Sequence, residues 1–275
     1  MADIKAADVA KLRKATGAGM MDCKKALVEA NGDFDKAVEE IRKKGQAIAN
    51  KRADREATEG VVLAKTTDDK TNGAIVVLNC ETDFVAINED FIKFATSILD
   101  KAIESKVNTL DELKDTEMDG HKIGDLVAEK SGVIGEKIEL GGFASVTSNM
   151  VIPYIHQGNK LATLVAFSKE IDPQVGRDIA MQVAAMSPVS VDKENVPEDV
   201  IAKELEIGRE QARLDGKPEA MLDKIAQGKL GKFFKENTLM NQIFVKDGKA
   251  TVANYLKGID ADIKVNSFER FSLNN

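Results

Sequence analysis

Apolar residues at helical spacing mark the first fifty residues of the chain. Phe34, Val38 and Ile41 recur at intervals of four and three, which places them on one face of a helix. Two shorter stretches before it carry stripes of the same kind, and glycines separate them. Gly45 is expected to end the third helix, because glycine favours helix C-termini. The pattern predicts a three-helix domain over residues 1–54.

From residue 60 onwards, short runs of β-branched residues alternate with helical stripes. A predicted hairpin at 61–78 is followed by a helix that begins after Asn88. A second hairpin, at 150–167, is followed by a helix that begins after Asp172. The repeated order predicts an internal duplication, in which each copy is an antiparallel sheet with helices.

An insertion at about residues 197–236 follows the second predicted helix of this pattern. Its two helical stripes are joined by the turn Asp215-Gly216-Lys217-Pro218, which predicts an antiparallel helical hairpin that packs as a coiled coil. Short strands near 243–245 and 263–268 are expected to close the second sheet. The predicted fold class is therefore α+β. The two related subdomains are expected at residues 55–142 and 143–275.

The composition fits an acidic cytoplasmic protein. The chain has 275 residues and a formal net charge of −7, whereas a phosphate-binding surface needs clustered positive charge. No apolar run approaches the ~18 residues of a membrane span, and the N-terminus has no apolar signal core. Two cysteines far apart in sequence are typical of a reduced compartment. These features predict no direct nucleic-acid partner and no membrane association.

Candidate chemistry is sparse. Cys23 or Cys80, with His121 or His156 as a base, would make a nucleophilic site, yet isolated cysteines are more often small buried apolar residues. Two histidines without a cysteine pair at ligand spacing predict no metal site. The glycine-rich stretch after the first helix lacks the preceding strand of a dinucleotide-binding site. The sequence predicts no cofactor.

Three apolar side chains leave two interpretations open. Met20 and Met21 are adjacent at a predicted helix start and point ~100° apart, so they cannot share one narrow core stripe. A methionine that is exposed there would suit a groove on a partner protein. Phe84 follows a strand and precedes a helix, in a predicted loop. Its ring either fills the core of its own domain or projects towards another protein.

Two segments resemble a known family. The stretch from Thr16 to Leu27 and the stretch from Asn79 to Ala86 are similar to the two signatures of elongation factor Ts of the bacterial type. The resemblance covers residues 2 to about 271. It implies a ubiquitin-associated-like three-helix domain, two related α+β subdomains and an inserted coiled coil. The chain resembles the long form, without the C-terminal helical module that some members carry.

The resemblance implies a guanine-nucleotide exchange factor that promotes GDP release from elongation factor Tu by disturbing its magnesium and phosphate site. The expected partner is elongation factor Tu in its GDP-bound and nucleotide-free forms, and a homodimer or a 2:2 complex stays open. No metabolic enzyme activity and no cofactor are implied. An adaptor that binds through the three-helix domain without exchange is the first alternative, and a thiol enzyme is the second.

The implied contacts fall into three groups. One group grips a helix of the partner's GTPase domain, one is inserted beside its magnesium site with Phe84 as the projecting ring, and one lies near its phosphate-binding loop. In that order the residues are Arg13, Met20, Met21 and Val245; Thr82, Asp83, Phe84 and Val85; Ile134, Gly135 and His156. Ile87 departs from the family, which usually has a basic or amide residue there.

Overall fold

A computed structural model describes residues 4–273, which form an α+β protein. The helices are α1 (Ala6–Thr16), α2 (Met20–Glu29), α3 (Phe34–Lys51), α4 (Asp83–Ala86), α5 (Glu89–Ser105), α6 (Leu110–Asp115), α7 (Ile123–Ile134), α8 (Pro173–Met186), α9 (Glu198–Leu214), α10 (Glu219–Asn237) and α11 (Val252–Ile259). The strands are β1 (Glu59–Thr66), β2 (Asn72–Cys80), β3 (Glu117–Met118), β4 (His121–Lys122), β5 (Glu139–Thr147), β6 (Met150–Ile155), β7 (Leu161–Phe167) and β8 (Val265–Ser272).

The three N-terminal helices α1, α2 and α3 form one unit, called here the three-helix unit. Their core contains Leu12, Cys23 and Leu27, which are fully or almost fully buried. The Asp33 side chain accepts a hydrogen bond from the Lys36 N–H and caps α3. The prediction that Gly45 ends this helix is wrong, since α3 continues to Lys51. Gly45 is instead buried inside the helix, where α3 packs against α7.

The first sheet has the order β1-β2-β5, and both pairings are antiparallel. The predicted hairpin is confirmed, with Val61 opposite Leu78. Asn88 caps α5 as predicted. The buried Phe91 and Ile98 of that helix pack with the sheet in one cluster, called here the first hydrophobic cluster. The sequence analysis missed β5. This strand contains two adjacent glycines and lacks the regular alternation that makes a strand recognisable.

The second sheet has the order β6-β7-β8 and is also antiparallel. Asp172 caps α8 and Pro173 begins it, as predicted. The predicted strand at 243–245 is wrong, because Ile243 makes only an isolated bridge to Thr251. Buried residues of both sheets form a shared apolar layer, so the two sheets pack face to face.

The inserted segment is a helical hairpin of α9 and α10, with the predicted turn at 215–218. Ala212, Leu222 and Ala226 are buried between the two helices. A Cβ added to Gly208 would lie 3.1 Å from the Cα of Ala226, so the helices approach closely there. Its classification as a coiled coil, and the domain boundaries at 54 and 142, stay predictions.

Candidate functional site

The Phe84 side chain projects from a short helix rather than from a loop. Residues 83–86 form the single turn α4, in which Ala86 is buried and Val85 packs against the first hydrophobic cluster. These two side chains anchor the turn, while Asp83 is exposed and Phe84 is 79% exposed. Ile87, directly after the turn, is 73% exposed. Of the two interpretations of Phe84, the structure shows the projecting ring, and the turn with Ile87 is called here the Phe84 turn.

Glu136 holds the Phe84 turn from the side of α7. Its carboxylate accepts hydrogen bonds from the N–H of Thr82 at 3.0 Å and from the Oγ1 of Thr82 at 2.7 Å. Gly135 ends α7 with a φ of 82°, a conformation that favours glycine, and thereby directs the chain to Glu136. Ile134 is half-buried against the first hydrophobic cluster. Ile134, Gly135 and Thr82 therefore lie close together, although the resemblance assigns Thr82 to one group of contacts and the other two residues to another.

Glu81 connects the Phe84 turn to the three-helix unit. Its carboxylate pairs with the Nη1 atoms of Arg52 at 2.7 Å and Arg55 at 3.1 Å. It also accepts a hydrogen bond from the N–H of Lys137 at 2.6 Å. Burial alone would raise the pKa of Glu81, but the Lys137 N–H and the two guanidinium groups outweigh it and lower the pKa below its ordinary value. These four residues are called here the Glu81 cluster.

His156 lies in the turn between β6 and β7, on the side of β1. Its Nδ1 is 2.9 Å from the Tyr154 hydroxyl. The turn is held on the first sheet, because the Lys160 Nζ pairs with the Glu59 carboxylate at 2.8 Å. Glu59 is the main reason that the pKa of Lys160 is raised, and the charge of Asp83 adds to it. Glu59 lies opposite Cys80 in the first sheet, so the turn that carries His156 lies near the start of the Phe84 turn.

Met20 and Met21 begin α2 and are 59% and 65% exposed. Gly19 precedes them, and Cys23 one turn later faces the core of the three-helix unit. Arg13 is exposed in the last turn of α1. Both methionines thus face solvent, whereas the helical geometry required only that the two do not share one narrow core stripe.

Val245 lies beside α8. Its N–H donates a hydrogen bond to the Gln182 Oε1 at 2.9 Å, and its side chain is 50% exposed. Lys246 next to it pairs with the buried Asp178 at 2.6 Å. Further apolar side chains are exposed on α8 and in the segment between α10 and α11: Met181, Met186 and Ile243.

The buried cysteines offer little for nucleophilic chemistry. Burial raises the pKa of Cys80 to about 12, and the charges of Glu136 and Glu59 add to the effect. Cys23 is buried, and its Sγ lies 3.7 Å from the Ala18 carbonyl oxygen. The two candidate bases are engaged elsewhere: His121 contacts Arg42 and His156 contacts Tyr154. Within residues 4–273, no group of three or more His, Cys, Asp or Glu side chains is arranged to hold a metal ion.

The sequence analysis missed that Glu81 and Glu136 hold the Phe84 turn and that Ile87 is exposed beside Phe84. Ile87 had a usable signal, because it lies three positions after Phe84 and so shares a helical face with it. Glu81 and Glu136 had none, since their partners lie 29 and 54 residues away in sequence. Their roles depend on contacts that only the tertiary structure creates.

The fold and the site define an α+β protein that presents exposed apolar side chains on well-anchored helical turns. In the part of the chain that the structure describes, no helix has the length and apolar content to cross a membrane. A family model described as Elongation factor TS matches residues 81–275. The chain therefore belongs to the elongation factor Ts family.

Similar proteins match over the whole length. The Elongation factor Ts of Flavobacterium psychrophilum is 51% identical over 275 residues, which cover 99% of this chain and 100% of the relative. The Elongation factor Ts of Christiangramia forsetii has the same identity and coverage. That of Amoebophilus asiaticus is 53% identical over 270 residues, 97% of this chain and 98% of the relative.

Proposed function

We propose that the protein is a guanine-nucleotide exchange factor that promotes GDP release from elongation factor Tu in the cytoplasm during translation elongation. The observation that carries the proposal is the Phe84 ring, which is 79% exposed on an anchored turn within a segment that resembles the family's second signature. A large aromatic side chain that is exposed on an anchored turn offers a sizeable apolar surface in a fixed position, which suits insertion into a partner.

The mechanism that we propose is thermodynamic coupling. A partner with bound GDP and magnesium releases them faster when another ligand binds its nucleotide-poor conformation more tightly. Phe84 would displace side chains that organise the magnesium ion, and loss of the ion leaves the phosphate charges uncompensated. Ile134, Gly135 and His156, which lie on the same side as the Phe84 turn, would act near the phosphates. The protein itself needs no covalent step and no cofactor.

In this proposal, residues outside the Phe84 turn dock the protein on its partner. Arg13, Met20 and Met21 would bind a helix of the partner's GTPase domain, with support from Val245. Exposed methionines suit this task because a flexible thioether adapts to an apolar groove. An adaptor that binds through the three-helix unit without exchange is the second candidate, and the same exposed methionines favour it.

The release of a fluorescent GDP analogue from purified elongation factor Tu tests the proposal. The protein should accelerate release in a saturable manner, and the Phe84→Ala variant should lose most of this effect. Leu214→Ala is a matched control, because Leu214 is 76% exposed at the tip of the helical hairpin. A protein that binds elongation factor Tu but leaves the release rate unchanged would be an adaptor.

A further inference from the structure

The three-helix unit is joined to the rest of the protein by a direct contact between helix backbones. Helices α3 and α7 cross at Gly45 and Gly132. A Cβ added to Gly132 would lie 2.1 Å from the Cα of Gly45, and a Cβ added to Gly45 would lie 3.3 Å from the Cα of Glu129. Any side chain at Gly132 would therefore push the two helices apart.

Polar and apolar contacts flank this crossing. The Nε of Arg42 lies 3.3 Å from the Glu129 carboxylate, and its Nη1 lies 3.2 Å from the Nδ1 of His121. A guanidinium only donates hydrogen bonds, so this His121 nitrogen is the acceptor. Val133 of α7 packs against the core of the three-helix unit. The contact is therefore a specific interface in which polar and apolar side chains of both helices take part.

Both helices of the crossing also lead to the Phe84 turn. The chain leaves α7 through Gly135, and Glu136 then binds Thr82 at the start of the turn. At the end of α3, Arg52 binds Glu81, the residue just before Thr82. The three-helix unit is thus attached at two points, the glycine crossing and the Glu81 cluster, and the second lies directly beside the Phe84 turn.

We propose that Glu81 and Gly132 are positioning residues that hold the three-helix unit and the Phe84 turn as one rigid body, so that Met20, Met21 and Phe84 engage elongation factor Tu together. This inference rests on the proposed exchange function. Two surfaces held at a fixed separation bind with less loss of conformational freedom than two surfaces joined by a flexible link. The attachment therefore contributes to affinity although neither residue needs to touch the partner.

Two variants loosen the attachment, and each has a matched control. Glu81→Gln keeps the volume but removes the charge that Arg52 and Arg55 share, whereas Glu104→Gln removes an exposed charge that pairs with Lys101 of the same helix. Gly132→Ala separates the helices, whereas Gly231→Ala adds a methyl group to α10 at a place where no atom beyond the adjoining residues and the backbone of that helix lies within 4 Å. Circular dichroism verifies that each variant is folded before it is used.

The first readout needs no partner. Spin labels on Lys25→Cys of α2 and Ser97→Cys of α5, two exposed positions, report the distance between the three-helix unit and the first subdomain. Both native cysteines are buried, so the labels attach selectively. The full-length protein should give a narrow distance distribution that broadens in Glu81→Gln and in Gly132→Ala and stays narrow in both controls. An unchanged distribution in the two variants would overturn the proposal.

The second readout is the affinity for nucleotide-free elongation factor Tu. Loosening the attachment should weaken binding about 3- to 30-fold, because the lost preorganisation is only part of the avidity of linked surfaces. The same change should have no effect when Met20→Ala and Met21→Ala are already present, since the three-helix unit then adds little to binding. An equal loss in both backgrounds would show that Glu81 and Gly132 act by other means. If the parent protein does not bind elongation factor Tu, the proposed function fails, and the distance distribution alone decides whether the attachment is rigid.

Discussion

Replacement of Phe84 by alanine separates the exchange role of the ring from a structural role. The ring is 79% exposed, so about one-fifth of its surface is buried. Full burial of a phenylalanine side chain contributes about 1.5–3 kcal/mol, so the replacement should lower the free energy of unfolding by about 0.3–0.6 kcal/mol. Phe91 provides the contrast, because it is 1% exposed in the core and its replacement should cost about 3–5 kcal/mol.

The effect on GDP release should be much larger than the effect on stability. An aromatic side chain that anchors an interface contributes about 2 kcal/mol or more, which corresponds to a loss of about 30-fold. Urea unfolding measures the effect on stability, and stopped-flow release of a fluorescent GDP analogue measures the effect on GDP release. The difference between Phe84→Ala and the parent should shrink when magnesium is chelated, because the step that the ring promotes has then already occurred. A variant that is several kcal/mol less stable yet promotes release normally would refute this reasoning.

Further predictions concern other parts of the molecule. Cys80 should resist alkylation at about pH 8 in the folded protein and react only after unfolding, because it is buried and its pKa is raised to about 12; rapid modification without unfolding would contradict this. The folded state lowers the pKa of Glu81 below its ordinary value of 4.5, so the stability that this carboxylate contributes is present above pH 4.5 and is lost as the pH falls through its lowered pKa. Urea unfolding between about pH 6 and pH 3 should therefore show a smaller acid-dependent loss of stability in Glu81→Gln than in the parent, and identical pH profiles would be the opposing result. A short linker in place of residues 197–236 should preserve much of the exchange activity, because the proposed contact residues lie outside this hairpin; loss of exchange with an intact circular dichroism spectrum would place part of the interface there.

The elements that the sequence predicted are those whose hydrophobic pattern is regular. The hairpin of β1 and β2 and the stripe of α5 follow from residues that face one core. Asn88 and Asp172 cap their helices through hydrogen bonds to backbone N–H groups two or three residues later, and such local contacts can be predicted from the sequence. Gly45 misled the prediction because a glycine ends many helices but also permits two helices to touch. The strand β5 was not predicted because its two adjacent glycines interrupt the alternation of apolar and polar residues.

The sequence was sufficient to propose the residues of the candidate site, but it did not give their geometry. The two signatures contain Met20, Met21 and Phe84, yet the hydrophobic periodicity did not determine whether each of these side chains is buried or exposed. Their exposure depends on what else fills the core: Cys23 and Leu27 occupy it in α2, while Val85 and Ala86 anchor the Phe84 turn. A sequence pattern does not show which of several neighbouring side chains enters the core, because that outcome depends on distant parts of the chain.

Reciprocal coupling is the central claim, and calorimetry tests it most directly. The affinity of the protein for elongation factor Tu is measured once with the nucleotide-free form and once with the form that holds GDP and magnesium. The account predicts much tighter binding to the nucleotide-free form, by the same factor by which the protein weakens the affinity of elongation factor Tu for GDP. Equal affinity for the two forms would contradict it, because a ligand that binds both states equally shifts neither.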